Sequence, residues 1–147
     1  MYKLTCYGLD LELKVLECSS AGDKRFSAFY ATVRFNGVVD TIEHHYQKAK
    51  RNAKGLPCKK GEPVAYVVLF GKQYPPTILT PFYRYLWFKY LKANPELVAY
   101  ASDFHIFNDK FRGKSINCQA DCVCAYVNRD TEFYSCIKPI LRLDQSN

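Results

Sequence analysis

The sequence contains no run of about 18 apolar residues, the length that a helix needs to cross the hydrocarbon core of a bilayer. It also lacks a positively charged N-terminal region followed by an apolar stretch, so we expect no secretory signal and a cytosolic protein with reduced thiols. No repeat, low-complexity segment or linker divides the 147 residues. These absences predict a single domain over residues 1–147, which can bury a core without a disulfide or a metal.

Four of the seven cysteines, at positions 6, 18, 58 and 136, lack a partner at the short spacing that metal sites use. Cys118, Cys122 and Cys124 are close in sequence. On the helix that we predict there, Cys124 lies about 200° round from Cys122, so the three thiols cannot converge on one tetrahedral ion. No cysteine stands in a context that favours a reactive thiolate. We therefore expect no metal, no other cofactor and no thiol nucleophile.

Acidic residues are few relative to basic ones, with 14 Asp and Glu against 21 Lys and Arg, which gives a net charge of +7. The excess favours anionic partners such as nucleotides, nucleic acid or phosphate groups. The densest basic run covers residues 48–60, and it fits an ordinary solubilising surface as well as a binding surface. The 12 Tyr and 10 Phe are suited both to a core and, for the tyrosines, to a wet cleft.

Alternating polar and apolar residues predict an antiparallel hairpin over residues 1–17. A strand-like run over residues 26–35 is followed by the turn Asn36-Gly37 and then by a helix. Asp40 and Glu43 fit a capping box, so the helix should begin near Asp40. Together with the later pattern, these elements predict an α+β fold in which helices pack around a short mixed or antiparallel sheet.

The second half of the chain alternates between breakers and apolar runs. Thr80 followed by Pro81 is typical of a capped helix start. A polar loop follows two helices, and loops of this kind on a rigid scaffold are where sites usually lie. In order, we predict a buried strand at residues 63–70, helices at 82–93 and 96–101, the loop at 102–115, the last major helix at 117–128 and a final strand at 132–143.

Four polar side chains fall on one face of the helix that begins near Asp40, namely those of Glu43, Tyr46, Gln47 and Lys50. Seven residues at about 1.5 Å rise separate the backbones of Glu43 and Lys50 by roughly 10 Å, which is the size of a sugar. The same two residues also fit a helix cap and a solvated cation. Spacing alone leaves both interpretations open.

Three blocks of sequence resemble the NADAR superfamily. The first runs from Phe26-Ser27-Ala28-Phe29-Tyr30 through the turn to Thr41-Ile42-Glu43-His44-His45 and Lys50. The second is Leu91-Lys92-Ala93-Asn94-Pro95, and the third is Gly113-Lys114-Ser115-Ile116-Asn117. They occur in the family's order and cover about residues 26–127. Ala28 stands where the family has its first asparagine.

The family's Asp-x-x-Trp-Gly element is matched only by Asp109-Lys110-Phe111 before Gly113, or by Asp103, without the tryptophan. The resemblance implies an N-glycosidase that cleaves the bond between a ribose and a base. Family members act on riboflavin-pathway intermediates or remove ADP-ribose from guanine in nucleic acid. The compact basic composition also suits a bacteriophage protein, which would act in the host cytoplasm.

The resemblance and the residue chemistry together suggest roles for individual side chains. Glu43 would stabilise positive charge on the sugar, and Lys50 would capture the anomeric carbon as a Schiff base. Asp109 would be a second acid or base. Substrate-binding candidates are Ser27, Phe29, Tyr46, Gln47, Asp103, Gly113 and Asn117.

Two rival functions fit the same sequence. The first is a catalytically inactive module that binds a nucleotide or an ADP-ribosyl group, either free or attached to nucleic acid. The second is a basic protein that binds nucleic acid or a host protein through residues 48–60. Steep loss of affinity with salt, independent of Glu43, would indicate the second rival.

Overall fold

The structure is a computed structural model, and it describes residues 2–6, 9–112 and 117–146. The chain opens with an antiparallel hairpin of β1 (Tyr2–Cys6) and β2 (Leu9–Leu13), as the alternating pattern predicts. β3 (Val15–Glu17) then leaves the hairpin and pairs in parallel with a strand from the far end of the chain. The first residues are therefore tied to the late loop region.

The segment predicted as a strand over residues 26–35 is a strand only in its last part. A short 3₁₀ helix, Lys24–Phe26, and a turn precede β4 (Thr32–Phe35). Asn36 and Gly37 have φ values of 51° and 79°, which are the left-handed conformations that a two-residue hairpin turn requires. They connect β4 to β5 (Val38–Thr41), an additional strand that was not predicted from the sequence.

The helix α1 (Ile42–Lys48) begins directly after β5. The predicted capping box is wrong: Thr41 is the N-cap residue, and its hydroxyl accepts a 3.1 Å hydrogen bond from the backbone N–H of His44. Asp40 lies one residue before the N-cap position and is paired with Val33 in the hairpin. Its carboxylate instead contacts the His44 ring and accepts a bond from the backbone N–H of Thr41.

A three-stranded antiparallel sheet follows α1, with β7 in the middle. It consists of β6 (Lys50–Arg51), β7 (Tyr66–Leu69) and β8 (Lys72–Tyr74). β7 confirms the buried strand predicted over residues 63–70, although the strand is shorter than predicted. β8 was not predicted, since Tyr74 before two prolines indicated only an extended connector.

The central helix α2 (Leu79–Ala93) and the short α3 (Pro95–Ala101) match the two predicted helices of the second half. α2 continues from a 3₁₀ turn and has no side-chain cap, so the predicted Thr80 cap is wrong. α2 contributes seven buried side chains to the hydrophobic core. Its buried residues are Phe82, Tyr83, Tyr85, Leu86, Trp87, Tyr90 and Leu91.

Part of the predicted loop at residues 102–115 is a strand, β9 (Ile106–Asn108), which is the parallel partner of β3. The amide of Asn108 also donates a 2.6 Å hydrogen bond to the carboxylate of Glu17. These bonds hold the loop against the start of the chain. Three residues were too few to show a strand pattern beside so many polar neighbours.

The chain ends in two helices, α4 (Gln119–Val127) and α5 (Thr131–Gln145). The prediction of a final strand over residues 132–143 is wrong. Phe133, Ile137 and Ile140 are buried at helical spacing, and the carboxylate of Asp130 accepts a 3.1 Å hydrogen bond from the N–H of Phe133 as a helix cap. Pro139 suggested an edge strand, but it lies inside α5 on the exposed face.

The described elements form the predicted α+β fold, but the strands make four small sheets rather than one. α2 contacts α1, α4 and α5 and lies at the centre of one hydrophobic core. At the end of α5, the ammonium of Lys89 lies 2.9 Å from the carboxylate of Asp144. None of the helices described is both long and apolar enough to cross a bilayer.

Candidate active site

One cleft brings the two central predicted residues together. It has a volume of about 480 Å³ and lies between the start of α1, the N-terminus of β6 and the loop over residues 52–65. We call it the Glu43–Lys50 cleft. It is lined by Phe29, Glu43, Gln47, Lys50, Cys58, Lys59, Lys60, Gly61, Glu62 and Val64.

Glu43 lies in the first turn of α1, and its backbone is fixed by the preceding segment. Its N–H donates a 3.0 Å hydrogen bond to the carbonyl of Ala28, and the N–H of Ile42 donates a 2.9 Å bond to the carbonyl of Ala31. The amide of Gln47, one turn later, donates a 2.8 Å bond to the Glu43 carboxylate. The carboxylate is therefore held on the cleft side of the helix and keeps acceptor capacity.

Lys50 reaches the cleft by a different backbone path from the one predicted. α1 ends at Lys48, and Lys50 is the first residue of β6, where it pairs with Val67. The prediction that Lys50 lies on the helix is therefore wrong. The side chains of Glu43 and Lys50 nevertheless line the same cleft, because β6 begins only two residues after α1 ends.

The ammonium of Lys50 lies 4.3 Å from the centre of the Tyr46 ring, a cation–π contact on a half-buried lysine. Burial lowers the pKa of Lys50, and the nearby charge of Glu43 partly opposes that shift. A lowered pKa increases the fraction of neutral amine, which is the nucleophilic form. This is the property that Schiff-base chemistry requires of a lysine.

Tyr46 supports Lys50 from the core and does not itself line the cleft. Its ring is buried against Tyr83 at a centroid distance of 4.9 Å, and its hydroxyl accepts a 2.8 Å hydrogen bond from the amide of Asn117. Burial raises the pKa of Tyr46. Two predicted substrate-binding residues, Tyr46 and Asn117, are thus bonded to each other behind Lys50.

The turn over residues 27–30 forms one edge of the cleft. Ser27 is fully buried, and its hydroxyl accepts a 3.3 Å bond from the N–H of Phe29. The Phe29 side chain is 61% exposed and lines the cleft. Of these two predicted binding residues, Phe29 can therefore touch a ligand, whereas Ser27 shapes the turn.

Asp109 does not line the cleft. It is buried, and its carboxylate accepts hydrogen bonds of 2.9 Å from the N–H of Phe111 and 3.2 Å from the amide of Gln119. The carbonyl of Gln119 in turn accepts a 2.7 Å bond from the N–H of Ala28. A chain of buried hydrogen bonds thus connects Asp109 to the turn that contacts Glu43.

The remaining predicted residues lie elsewhere. Asp103 lines a separate cavity with Lys14, Tyr100 and Phe104. Gly113 lies outside the described residues, as does most of the third block of the family resemblance. Within residues 2–6, 9–112 and 117–146, no cluster of three His, Cys, Asp or Glu side chains could hold a metal ion.

The loop that includes Lys59 and Glu62 also lines the cleft, and it was not among the predicted site residues. The carboxylate of Glu62 accepts bonds of 2.7 Å from the N–H of Lys59 and 3.2 Å from the amide of Asn52, which fix a turn at Gly61. Lys59 and Lys60 were considered only as part of a basic surface. The signal that could have identified them was Lys-Lys-Gly-Glu, a turn that holds two cations beside a carboxylate.

Two comparisons with known proteins bear on this geometry. The family model for DarT1-associated NADAR antitoxins matches residues 37–134, which is more than half of the chain and includes Glu43, Lys50 and Asp109. A search of curated proteins finds no match.

Proposed function

This chain belongs to the family of DarT1-associated NADAR antitoxins, and from that premise we propose that it is an N-glycosidase that removes ADP-ribose from modified bases of nucleic acid. The observation that supports the proposal most is the shared cleft of Glu43 and Lys50. A half-buried lysine with a lowered pKa beside a carboxylate combines a nucleophile with a group that stabilises positive charge.

The proposed reaction has two steps. In the first, the neutral amine of Lys50 attacks the anomeric carbon while the bond from that carbon to the base nitrogen breaks. The base leaves with the electron pair, and Glu43 transfers a proton from the attacking nitrogen to it. The sugar ring opens to a Schiff base, and in the second step water adds to that carbon and releases the ribose with regeneration of the amine. The net reaction consumes one water.

The cationic residues of the cleft suit the diphosphate of an ADP-ribosyl group. Lys59 and Lys60 lie on the loop opposite Glu43, and both line the cleft. Phe29 provides an exposed ring on the other edge, where a purine can stack. Asp109 acts in this proposal as a positioning residue, because Gln119 and the Ala28 backbone stand between it and the cleft.

The test is release of ADP-ribose and intact nucleic acid from a DNA oligonucleotide that carries one ADP-ribosylated guanine, followed by chromatography. Glu43→Gln and Lys50→Arg should each lower kcat by about a hundredfold or more. Reduction with borohydride during turnover should attach the sugar covalently to the wild-type protein and leave Lys50→Arg unlabelled.

Matched controls separate chemistry from charge. Lys72→Arg changes an exposed lysine on β8 that does not line the cleft, and Glu12→Gln changes an exposed glutamate on β2. Both should retain wild-type turnover. Undiminished turnover in Glu43→Gln, or no turnover by the wild-type protein, would refute the proposal.

One observation favours a second function, namely sequestration of the modified nucleotide without cleavage. Asp109, the expected second acid or base, is buried and bonded to Gln119 and Phe111 instead of facing the cleft. A protein of this kind would bind the modified oligonucleotide tightly and release no ADP-ribose over long incubation. The same chromatographic assay therefore distinguishes the two functions.

A further inference from the structure

A second cavity lies on the other side of α1 from the Glu43–Lys50 cleft. It has a volume of about 340 Å³, within the usual range of small-molecule sites. Phe35 is central to it, with ring centres 5.0 Å from Phe70 and 5.1 Å from Phe82. We call it the phenylalanine pocket. Its lining residues are Phe35, Asn36, Val38, His45, Lys48, Ala49, Arg51, Pro57, Val68, Leu69, Phe70 and Phe82.

The charged groups of the phenylalanine pocket are basic. Lys48 and Arg51 line it, and no carboxylate is among its described lining residues. The guanidinium of Arg51 is fixed by donating bonds of 2.5 Å to the carbonyl of Lys48 and 3.1 Å to that of Lys50. The ammonium of Lys48 is 3.9 Å from the carboxylate of Asp40 and remains 42% exposed. An apolar hollow with two cations fits a ligand that joins a flat ring to an anion.

The loop over residues 52–62 lies between the phenylalanine pocket and the Glu43–Lys50 cleft. A third hollow of about 310 Å³ lies on that loop. It shares Pro57 with the phenylalanine pocket, and it shares Lys59 and Glu62 with the cleft. Lys54 also lines it. The three hollows are therefore neighbours around this loop, and Lys54 and Lys59 lie between the two larger ones.

We propose that the phenylalanine pocket is a second nucleotide subsite, which holds a neighbouring base of the single strand whose modified base lies in the Glu43–Lys50 cleft. This inference rests on the proposed function. The partly exposed ring of Phe70 contacts the base, Lys48 and Arg51 face its phosphate, and Lys54 and Lys59 follow the intervening backbone. Proteins that bind single strands without sequence preference combine a cationic groove with aromatic side chains on which the bases stack.

Two adjacent valines on β5 allow a matched test. Val38 is paired with Phe35, so it points to the same face and lines the pocket, whereas Val39 is paired with the exposed Arg34 on the opposite face. Both are exposed, at 46% and 58%, and each tolerates a polar replacement. Val38→Glu and Val39→Glu therefore add the same charge one residue apart.

The first measurement is the affinity for an unmodified, fluorescein-labelled 12-mer of single-stranded DNA, followed by fluorescence anisotropy. Val38→Glu should raise Kd about tenfold, and Val39→Glu less than twofold. Val38→Trp, which fills the pocket mouth without charge, should also raise Kd relative to Val39→Trp. Equal losses in a matched pair, or no loss in either, would overturn the subsite. Unchanged DNA affinity would leave the pocket to an acidic protein segment.

The second measurement separates this inference from the proposed function. Val38→Glu should raise KM for an ADP-ribosylated oligonucleotide about tenfold. It should leave turnover of ADP-ribosyl-guanosine unchanged, because the nucleoside does not reach the second subsite. An equal loss on both substrates would overturn the subsite. If the wild-type protein cleaves neither substrate but Val38→Glu still loses DNA affinity, the glycosidase proposal fails and the subsite stands.

Discussion

The replacement Gln119→Glu tests the buried connection between Asp109 and the cleft, because it exchanges one amide nitrogen for an oxygen and keeps the shape of the side chain. In the wild-type protein, the N–H of Ala28 donates a 2.7 Å hydrogen bond to the side-chain carbonyl of Gln119. The variant keeps an acceptor at this position. The variant loses the amide nitrogen that donates a 3.2 Å hydrogen bond to the carboxylate of Asp109 in the wild-type protein. A carboxylate would then face a carboxylate in a buried place.

The expected cost follows from that distance. Two unit charges 3.2 Å apart repel by about 5 kcal/mol at an effective dielectric constant of about 20. Protonating the new carboxyl instead costs about 4 kcal/mol at pH 7, given an ordinary glutamate pKa of about 4.3, and restores a donor to Asp109. The protein takes the cheaper alternative, so the variant should lose about 4 kcal/mol of unfolding free energy at pH 7.

The pH dependence has a defined sign. The pKa of the new carboxyl is raised in the folded state, so the folded state binds the extra proton and loses stability as pH rises. At pH 5.5 protonation costs only about 2 kcal/mol, and the loss should be about half as large.

Urea unfolding followed by the fluorescence of buried Trp87 would measure the difference. Gln73→Glu, at an exposed position of β8, is the matched control and should change stability by less than about 0.5 kcal/mol at either pH. A loss for Gln119→Glu that is equal at both pH values, or below about 1 kcal/mol at pH 7, would refute the reasoning.

Three further predictions concern the scaffold. Pro139→Ala should raise the free energy of unfolding by about 1–3 kcal/mol, because proline inside α5 removes a helix hydrogen bond; urea unfolding beside Lys138→Ala would show it, and equal stability would contradict it. Burial lowers the pKa of His45, so the wild-type protein should lose stability as pH falls below about 6.5. His45→Gln should flatten that slope in unfolding curves between pH 7.5 and 5.5, and a variant as steep as wild type would argue against it. Gly37→Ala should cost about 1 kcal/mol by thermal unfolding through its φ of 79° alone, since its Cβ would meet nothing within 4 Å; a neutral effect would show that the turn relaxes.

The sequence predicted elements well where local chemistry and burial agree. Asn36-Gly37 requires left-handed backbone, and the aromatic residues of α2 surround a helix that is buried on most sides. The final helix was predicted as a strand because Pro139 was given more weight than the helical spacing of Phe133 and Ile137. A proline on the solvent face of a helix leaves the packing pattern intact.

Glu43 and Lys50 were expected to face a common cleft, and the structure brings them together by a different backbone path. Glu43 and Lys50 line one cleft although the helix that was expected to join them ends between them. Asp109 was expected beside them because it is polar and lies in a loop, and nothing in a sequence shows that Gln119 bonds to it from another element. Contacts between distant segments decide that kind of placement.

The pairing of Lys50 with Val67 has a consequence for how this family can vary. The loop that includes Lys54 and Lys59 begins at β6 and ends at β7, and these strands are paired with each other. The loop can therefore change in length and composition while Lys50 keeps its position relative to Glu43. The loop residues that line the cleft can thus be exchanged while Glu43 and Lys50 keep their places in it. Under the proposed function, replacing this loop would change substrate preference and leave the reaction the same.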